Sequence, residues 1–160
     1  MPLILGLDPG KDKFGWAFVG FDGGLRASGI SPARLAPELA GALLSGDLDG
    51  LSGFVLERHG GAFAGESPSL VLLGNGTARK ALLEILTSRR QPFELADESN
   101  TTLEARPLYW RLHPPRGLAR FFPESLRVPP RPVDDLAAWA LVLRFLSRKA
   151  GPFPTLPATP

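Results

Sequence analysis

The segment LILGLDPGKDKFGWAFVGFDGGLRASGI, residues 3–30, decides the fold. Residues 3–7 are a continuous apolar run, typical of a strand covered on both faces, and the run ends at Asp8-Pro9-Gly10. Residues 14–21 and 25–30 predict two more strands, joined by the hairpin turn Asp22-Gly23-Gly24. These patterns predict a three-stranded antiparallel meander.

Helical and strand patterns alternate after the meander. Ser31-Pro32 is typical of a helix start, with serine as the N-cap and proline at the first helical position. Further along, the capping-box spacing Thr101-x-x-Glu104 predicts another helix start. The sequence therefore predicts an α/β fold, a five-stranded mixed sheet with helices on both faces. The supporting segments are 35–43, 78–86 and 133–146 for helices, and 69–73 and 93–96 for strands.

Proline dominates two segments of the second half. Seven prolines lie between Pro107 and Pro132, so we expect residues 107–132 to form a long loop. Residues 151–160 contain four prolines and are expected to be a flexible tail. A chain of 160 residues is about the size of one globular unit, and we expect residues 1–150 to form a single domain.

Composition excludes several classes of protein. The chain has no cysteine, which rules out a disulfide framework and any cysteine-based zinc site. No apolar stretch approaches the ~20 residues of a membrane span, so we expect no membrane association and a cytoplasmic location. Charge is uneven: residues 1–78 have five basic and eight acidic residues, whereas residues 79–160 have thirteen and eight. A basic second half suits a polyanion such as nucleic acid, although a solvated charged surface has the same composition.

Acidic residues follow the predicted strands or open a predicted helix. They are Asp8, the pair Asp97-Glu98 and the pair Asp134-Asp135. Carboxylates that crowd together raise one another's pKa, and a hard divalent cation with oxygen ligands relieves that conflict. Each acid also has a plain structural interpretation: Asp8 as a turn residue, Asp134 as first-turn charge of a helix, and Glu98 as a solvated loop acid. The residues alone leave both interpretations open.

Four motifs, in order, resemble those of the RuvC/YqgF (RuvX) family, which has a ribonuclease-H-like fold. They are residues 5–17 (LGLDPGKDKFGWA), 72–77 (LLGNGT), 96–105 (ADESNTTLEA) and 133–138 (VDDLAA). The resemblance covers most of the chain except residues 46–68, which look like an insertion, and the tail. Where the family usually has arginine after the Asp-Glu pair, this chain has Ser99.

The resemblance implies a nuclease that hydrolyses phosphodiester bonds with two Mg²⁺ or Mn²⁺ ions. It implies Asp8, Glu98 and Asp134 as catalytic metal ligands, with Asp97 and Asp135 as close substitutes. Glu57, after the apolar residues 54–56, is an alternative second acid. The implied substrate is a branched DNA junction or structured RNA such as a ribosomal RNA precursor, bound by a monomer or a homodimer. A nucleic-acid-binding or assembly factor that cuts poorly or not at all is the alternative function.

Basic side chains are the predicted contacts to nucleic acid. Lys11 and Lys13 flank the first motif and are placed to contact backbone phosphates. Arginines follow in the proline-rich segment, interleaved with aromatic residues that either stack on unpaired bases or anchor the loop in the core. The predicted contacts in that segment are Arg106, Arg111, Arg116 and Arg120, and the aromatic residues are Tyr109, Trp110, Phe121 and Phe122.

Overall fold

The computed structural model describes residues 2–59, 66–97, 99 and 101–150. Six strands lie in these residues: β1 (Leu3–Asp8), β2 (Lys13–Gly20), β3 (Leu25–Pro32), β4 (Val55–Arg58), β5 (Leu70–Gly74) and β6 (Glu94–Ala96). The helices are α1 (Ala36–Ser45), α2 (Lys80–Ser88), α3 (Thr101–Leu112) and α4 (Asp134–Ala150). Short 3-10 turns cover Ala33–Leu35, Gly117–Phe121 and Glu124–Leu126.

The strands form one mixed sheet in the order β4-β3-β2-β1-β5-β6. The meander β1-β2-β3 is antiparallel, while β5 and β6 run parallel to β1. The predicted α/β class and mixed sheet are confirmed, but the sheet has six strands instead of five. The additional strand is β4, which lies within residues 46–68 and pairs antiparallel with β3 at the edge. The one buried side chain of this strand is a glutamate, so the sequence gives only a weak hydrophobic signal for β4.

Helices cover both faces of the sheet, as predicted. Ile4 of β1 packs in a cluster with residues of α3 and α4, whereas Leu5 and Leu7 pack in a second cluster with residues of α1 and α2. Successive side chains of a strand point to opposite faces, so Asp8 lies on the same face as Ile4, under α4. The carboxyl end of β1 therefore presents an acidic side chain to the helix that carries Asp134.

Two glycines allow α4 to lie directly on the sheet. A Cβ on Gly6 would lie 2.6 Å from the carbonyl oxygen of Ala138, and a Cβ on Gly15 would lie 2.0 Å from that of Asp134. Both distances are far inside van der Waals contact, so a side chain at either position would displace the helix backbone. These contacts set the height of the first turns of α4 above β1 and β2.

Two predicted boundaries are wrong. The expected loop 107–132 begins only after Leu112, because α3 continues through Pro107. Pro107 and Leu103 lie on the exposed side of α3, where water can satisfy the carbonyl that lacks its helical donor, while the opposite side packs in the core. The predicted N-cap Ser31 belongs to β3 instead, and its hydroxyl accepts a hydrogen bond from Trp16 Nε1 at 3.0 Å.

No helix in the described parts of the chain combines the length and the apolar character needed to cross a membrane.

Candidate active site

Asp8 and Asp134 are brought together across Gly15. Asp8 ends β1 and is paired with Gly15 of β2. The backbone of Asp134, the first residue of α4, lies directly on Gly15. Since paired Cα atoms of antiparallel strands are ~4.5–5.5 Å apart, the backbones of Asp8 and Asp134 lie within about 10 Å of each other. Two of the three predicted catalytic acids therefore share one edge of the sheet.

Lys13 forms an ion pair with Asp134. Its Nζ lies 3.2 Å from Asp134 Oδ2, and both side chains are partly exposed, 46% and 35% respectively. An ion pair in this setting contributes at most about 1 kcal/mol, because water solvates both groups. Lys13 can therefore leave Asp134 and bind an incoming phosphate with little loss of free energy.

A cavity of about 250 Å³ opens beside Asp134. Lys13 and Arg106, two of the predicted phosphate contacts, line it together with Asp134. Part of its lining comes from the segment that joins α3 to α4, residues 113–133, which we call the strap. The strap contributes Val128, Pro129, Arg131 and Pro132 to the cavity.

Lys11 lies in a different place, on the α2 side of the same sheet edge. It lines an open depression of about 500 Å³ together with Gly10, Thr77 and Lys80. Sequence reasoning did not single out Lys80. The signal was the turn Gly74-Asn75-Gly76-Thr77, which brings the start of α2 to the carboxyl end of β5, next to β1.

Asp97 follows β6 and is turned away from Asp134. Its Oδ1 accepts hydrogen bonds from the backbone N–H and the hydroxyl of Ser99, at 2.9 and 2.6 Å, and these bonds lower the pKa of Asp97. Its Oδ2 lies 3.9 Å from Arg144 Nη1. Arg144 is ten residues along α4 from Asp134, about 15 Å by helical rise. Asp97 therefore lies beside the middle of α4, away from its first turn.

Glu98 lies outside the described residues, and its role stays a prediction. The parallel strands β1, β5 and β6 end at one edge of the sheet, where Leu7 pairs with Leu73 and Gly74 pairs with Ala96. The motif that contains Glu98 begins at Ala96, so it starts from the edge that carries Asp8.

Asp135 is fully buried and has a structural environment. Its Oδ2 accepts a hydrogen bond from the Ser28 hydroxyl at 2.6 Å, and its Oδ1 accepts one from Arg131 Nη1 at 2.9 Å. A metal ion bound by Asp135 would have to displace these donors. Of the adjacent pair, Asp134 faces the cavity and Asp135 ties α4 to β3 and the strap.

Glu57 is the centre of a second charged cluster. Its side chain is only 5% exposed, yet it lies on the edge strand β4. Its Oε1 accepts hydrogen bonds from Arg131 Nη2 at 2.9 Å and from His113 Nε2, and its Oε2 lies 3.1 Å from His59 Nε2. The cluster therefore joins β4 to both ends of the strap and, through Arg131 and Asp135, to α4.

Opposing effects act on the pKa of Glu57. Burial disfavours the charged carboxylate and raises its pKa, whereas hydrogen bonds from His113, Arg131 and His59 lower it. The hydrogen bonds dominate, so the pKa of Glu57 lies below its ordinary value of 4.5. The pKa of Arg131 is raised despite its burial, because Asp135 and Glu57 stabilise its charge. Glu57 and Arg131 are therefore both charged at neutral pH.

Sequence reasoning predicted only part of this cluster. Glu57 was the alternative second acid, after the apolar residues 54–56. Its strand β4 is separated from β1 by β2 and β3, so Glu57 lies three strands away from the strand that carries Asp8. His59 and His113 are far apart in the sequence, and both contact Glu57.

The remaining predicted arginines are not among the described residues that line the cavity beside Asp134. Arg111 is exposed on the last turn of α3, and Arg116 and Arg120 are exposed on the strap. Their guanidinium groups are available to a partner that contacts the strap.

The donor set at the sheet edge has the chemistry that a hard divalent cation prefers, since it consists of carboxylate oxygens. Within the described residues, however, no group of three or more Asp, Glu or His side chains is arranged to hold a metal ion. Asp8 and Asp134 would supply two ligands, and the predicted third ligand, Glu98, lies outside the described residues. The residues fit the implied metal in kind, and the third ligand stays a prediction.

Comparisons with known proteins add the following findings. No family model matches the sequence, and no curated protein matches it. A solved structure of T. thermophilus RuvC in complex with a Holliday junction substrate has 18% sequence identity and a TM-score of 0.49, with 94% of this chain and 97% of that chain covered. A further Thermus thermophilus RuvC structure has 18% identity and a TM-score of 0.44, with 93% and 96% covered. The functional roles below rest on this chain's own residues.

Proposed function

We propose that this chain is a divalent-metal-dependent nuclease that hydrolyses phosphodiester bonds of structured nucleic acid. The observation that carries the proposal is the approach of Asp8 and Asp134 across Gly15, beside a cavity lined by Lys13 and Arg106. Asp134 lines a cavity that also contains cationic side chains, and Asp8 lies at the neighbouring strand end, so candidate metal ligands and candidate phosphate contacts lie close together.

In this proposal Asp8, Glu98 and Asp134 hold Mg²⁺ or Mn²⁺. Two such ions would stabilise the attacking and the leaving oxygen of a phosphodiester displacement. The protein's own contribution is to fix the carboxylates: Asp8 by its place in β1, and Asp134 by the contact of α4 with Gly15. Glu98 is preferred to Asp97 as the third ligand, because the carboxylate of Asp97 already contacts Ser99 and Arg144.

Basic residues position the nucleic acid on both sides of Asp8. Lys13 and Arg106 contact phosphates on the α4 side, and Lys11 contacts a phosphate on the α2 side. Lysine provides a point charge for a phosphate, while arginine can bind two phosphate oxygens at once. Since each contact releases counterions, affinity should fall steeply as salt increases.

The sequence resemblance supports two substrates, branched DNA and structured RNA. A four-way junction has two strands to cut symmetrically, which favours a homodimer with two equivalent sites. Processing of an RNA precursor needs one cut and is compatible with a monomer. The oligomeric state of the purified chain, measured by sedimentation, therefore favours one of the two substrate classes before any cleavage assay.

The experiment that tests the function is a cleavage panel in Mn²⁺. Labelled four-way DNA junctions, single-stranded RNA and ribosomal precursor RNA are incubated with the wild type, Asp8→Asn and Asp12→Asn. Asp12 is an exposed acid in the same loop and provides the matched control. We expect product from one substrate class with the wild type and the control, and none with Asp8→Asn or with chelator. Equal product from all three proteins would contradict the proposal.

One contact favours the alternative of a nucleic-acid-binding factor that does not cut. Lys13 forms an ion pair with Asp134. A cation of the protein therefore already neutralises part of the negative charge that would attract a metal ion. Absence of cleavage on every substrate, with binding that needs no metal and survives Asp8→Asn, would select this alternative.

A further inference from the structure

The strap passes beside the candidate site. Its last part lines the cavity that also contains Lys13 and Asp134. Its middle part forms the two 3-10 turns, Gly117–Phe121 and Glu124–Leu126. Whatever contacts the middle of the strap is therefore a neighbour of the molecule that enters the cavity.

The structure divides the aromatic residues of this region into two groups. Tyr109 is 8% exposed, and both Tyr109 and Trp110 pack against the core cluster under α4. Phe121 and Phe122 are 72% and 56% exposed. The first two anchor the end of α3, while the second two present their rings to solvent on the strap.

Several large apolar side chains accompany the two exposed phenylalanines. Apolar side chains scattered singly on a surface are ordinary, but a concentration of them on one short segment marks an interaction site. All of them lie within eleven residues of the strap: Leu118, Phe121, Phe122, Leu126 and Val128, each at least 56% exposed.

The backbone of this segment is already ordered. Phe122 N–H donates to Ala119 O at 3.2 Å, and Leu126 N–H donates to Pro123 O at 2.9 Å. Arg127 Nε donates to Phe122 O at 2.8 Å, which fixes the turn between the two 3-10 segments. A partner would therefore meet a backbone that is already folded before binding, so less conformational entropy is lost.

The charge of the strap identifies the kind of partner. Residues 114–130 contain Arg116, Arg120 and Arg127 and a single acid, Glu124. Within the described residues none of the three arginines forms an ion pair with a carboxylate. The guanidinium of Arg120 lies 5.0 Å from the centre of the Phe121 ring, so charge and aromatic face are presented together. This combination suits a polyanion that has flat, apolar faces.

We propose that Phe121 and Phe122, with Arg120, form a stacking platform for unpaired bases of the nucleic acid that occupies the neighbouring cavity. In a continuous duplex the base faces are covered by their neighbours, whereas an unpaired base offers a face to an aromatic ring. The inference rests on the proposed function for the position of the strand, and it goes further in naming the substrate class. That class is nucleic acid with unpaired bases next to the scissile phosphate, not continuous duplex.

The test is a binding measurement that needs no cleavage. Fluorescence anisotropy with chelator present gives the affinity of the full chain for a single-stranded oligonucleotide and for the fully paired duplex of the same sequence. We expect Phe121→Ala to weaken single-strand binding about tenfold, a typical effect of losing one stacked base, and duplex binding less than about twofold. Phe21→Ala is the matched control, because Phe21 is also exposed, at 48%. It follows Gly20, which pairs with Leu3 at the start of β1, so it lies at the opposite end of the strands from Asp8.

Two substitutions at Phe121 separate stacking from general apolar contact. Phe121→Trp should retain single-strand affinity, because an indole stacks at least as well, whereas Phe121→Leu should lose it although leucine is apolar. Full affinity with Phe121→Leu would overturn the proposal, and so would an equal loss on single strand and duplex. Unchanged nucleic-acid binding together with altered sedimentation would identify the strap as a protein interface and would also overturn it.

This experiment keeps the two proposals apart. If no substrate is cut but Phe121→Ala selectively weakens single-strand binding, the proposed nuclease function fails and the stacking platform stands. If the wild type cuts and Phe121→Ala binds every probe like the wild type, the platform fails and the nuclease function stands.

Discussion

Replacing Glu57 by glutamine tests whether the buried charged cluster holds the strap and α4 in place. The substitution keeps the shape of the side chain and removes its charge. The amide retains one acceptor oxygen, but its NH₂ group must face a donor, either His59 or the pair His113 and Arg131. Arg131 keeps its hydrogen bonds to Asp135, so its charge is not left without a partner.

The magnitude follows from these contacts. A hydrogen bond to a charged group contributes about 1.5–3 kcal/mol, and breaking a buried ion pair costs about 3–5 kcal/mol. Because Asp135 still compensates Arg131, we expect Glu57→Gln to lower the free energy of unfolding by about 2–4 kcal/mol. For a chain of this size each kcal/mol corresponds to about 2–4 °C, so Tm should fall by about 5–15 °C. Urea unfolding and calorimetry measure both quantities.

The effect should also depend on pH. The pKa of Glu57 in the folded protein lies below 4.5, its ordinary value in an unfolded chain. The stabilisation is therefore fully present above pH 4.5 and is lost as the pH falls through the folded value. The difference between wild type and Glu57→Gln should shrink as the pH falls below 4.5.

Glu94→Gln is the matched control, because Glu94 is exposed on the other edge strand, β6. It should change stability by less than about 0.5 kcal/mol. A similarly small change for Glu57→Gln at neutral pH would refute the reasoning. A large loss that is the same at every pH would show that packing, and not charge, is responsible.

Three further predictions concern the sheet edge and its basic cavity. Gly15→Ala places a Cβ 2.0 Å from Asp134 O and should cost about 3 kcal/mol of unfolding free energy in urea, whereas Gly53→Ala, which meets nothing within 4 Å, should be nearly neutral. Arg106→Gln should weaken nucleic-acid binding for every sequence and reduce the slope of log K against log salt by about one in anisotropy titrations; an unchanged slope would remove Arg106 from the interface. Asp97→Asn should change Mn²⁺ affinity by less than about twofold, because this carboxylate faces Arg144 and not the metal site. A larger loss of Mn²⁺ affinity would identify Asp97 as a metal ligand.

The fold could be predicted where local patterns are strong. Apolar runs between turn signals predicted β1, β2 and β3, and one-sided apolar spacing predicted α4. The strand β4 was uncertain because its single buried inward side chain is Glu57, and a buried acid has the sequence signature of a surface residue. The helix through Pro107 was missed because local propensity opposes it and only packing of the opposite face supports it.

The sequence predicts which residues belong to the candidate site but not which of them contact one another. The sequence motif selected Asp134 and left the adjacent Asp135 as a close substitute. The structure separates them because a one-residue step along a helix turns the side chain by about 100°, which places one toward the cavity and the other toward Ser28 and Arg131. The contacts of Glu57 with His113 and Arg131 join residues 56 and 74 positions apart, a separation that no local pattern reports.

Binding of Mn²⁺ tests most directly the claim that Asp8 and Asp134 form one metal site. Electron paramagnetic resonance of free Mn²⁺ gives the affinity of the wild type, Asp8→Asn, Asp134→Asn and the control Asp12→Asn. Removing one charged ligand should weaken binding at least about tenfold in both Asp8→Asn and Asp134→Asn, because each supplies a carboxylate to the same cation, and leave Asp12→Asn unchanged. Wild-type affinity in either of the first two variants would contradict a joint metal site at this edge of the sheet.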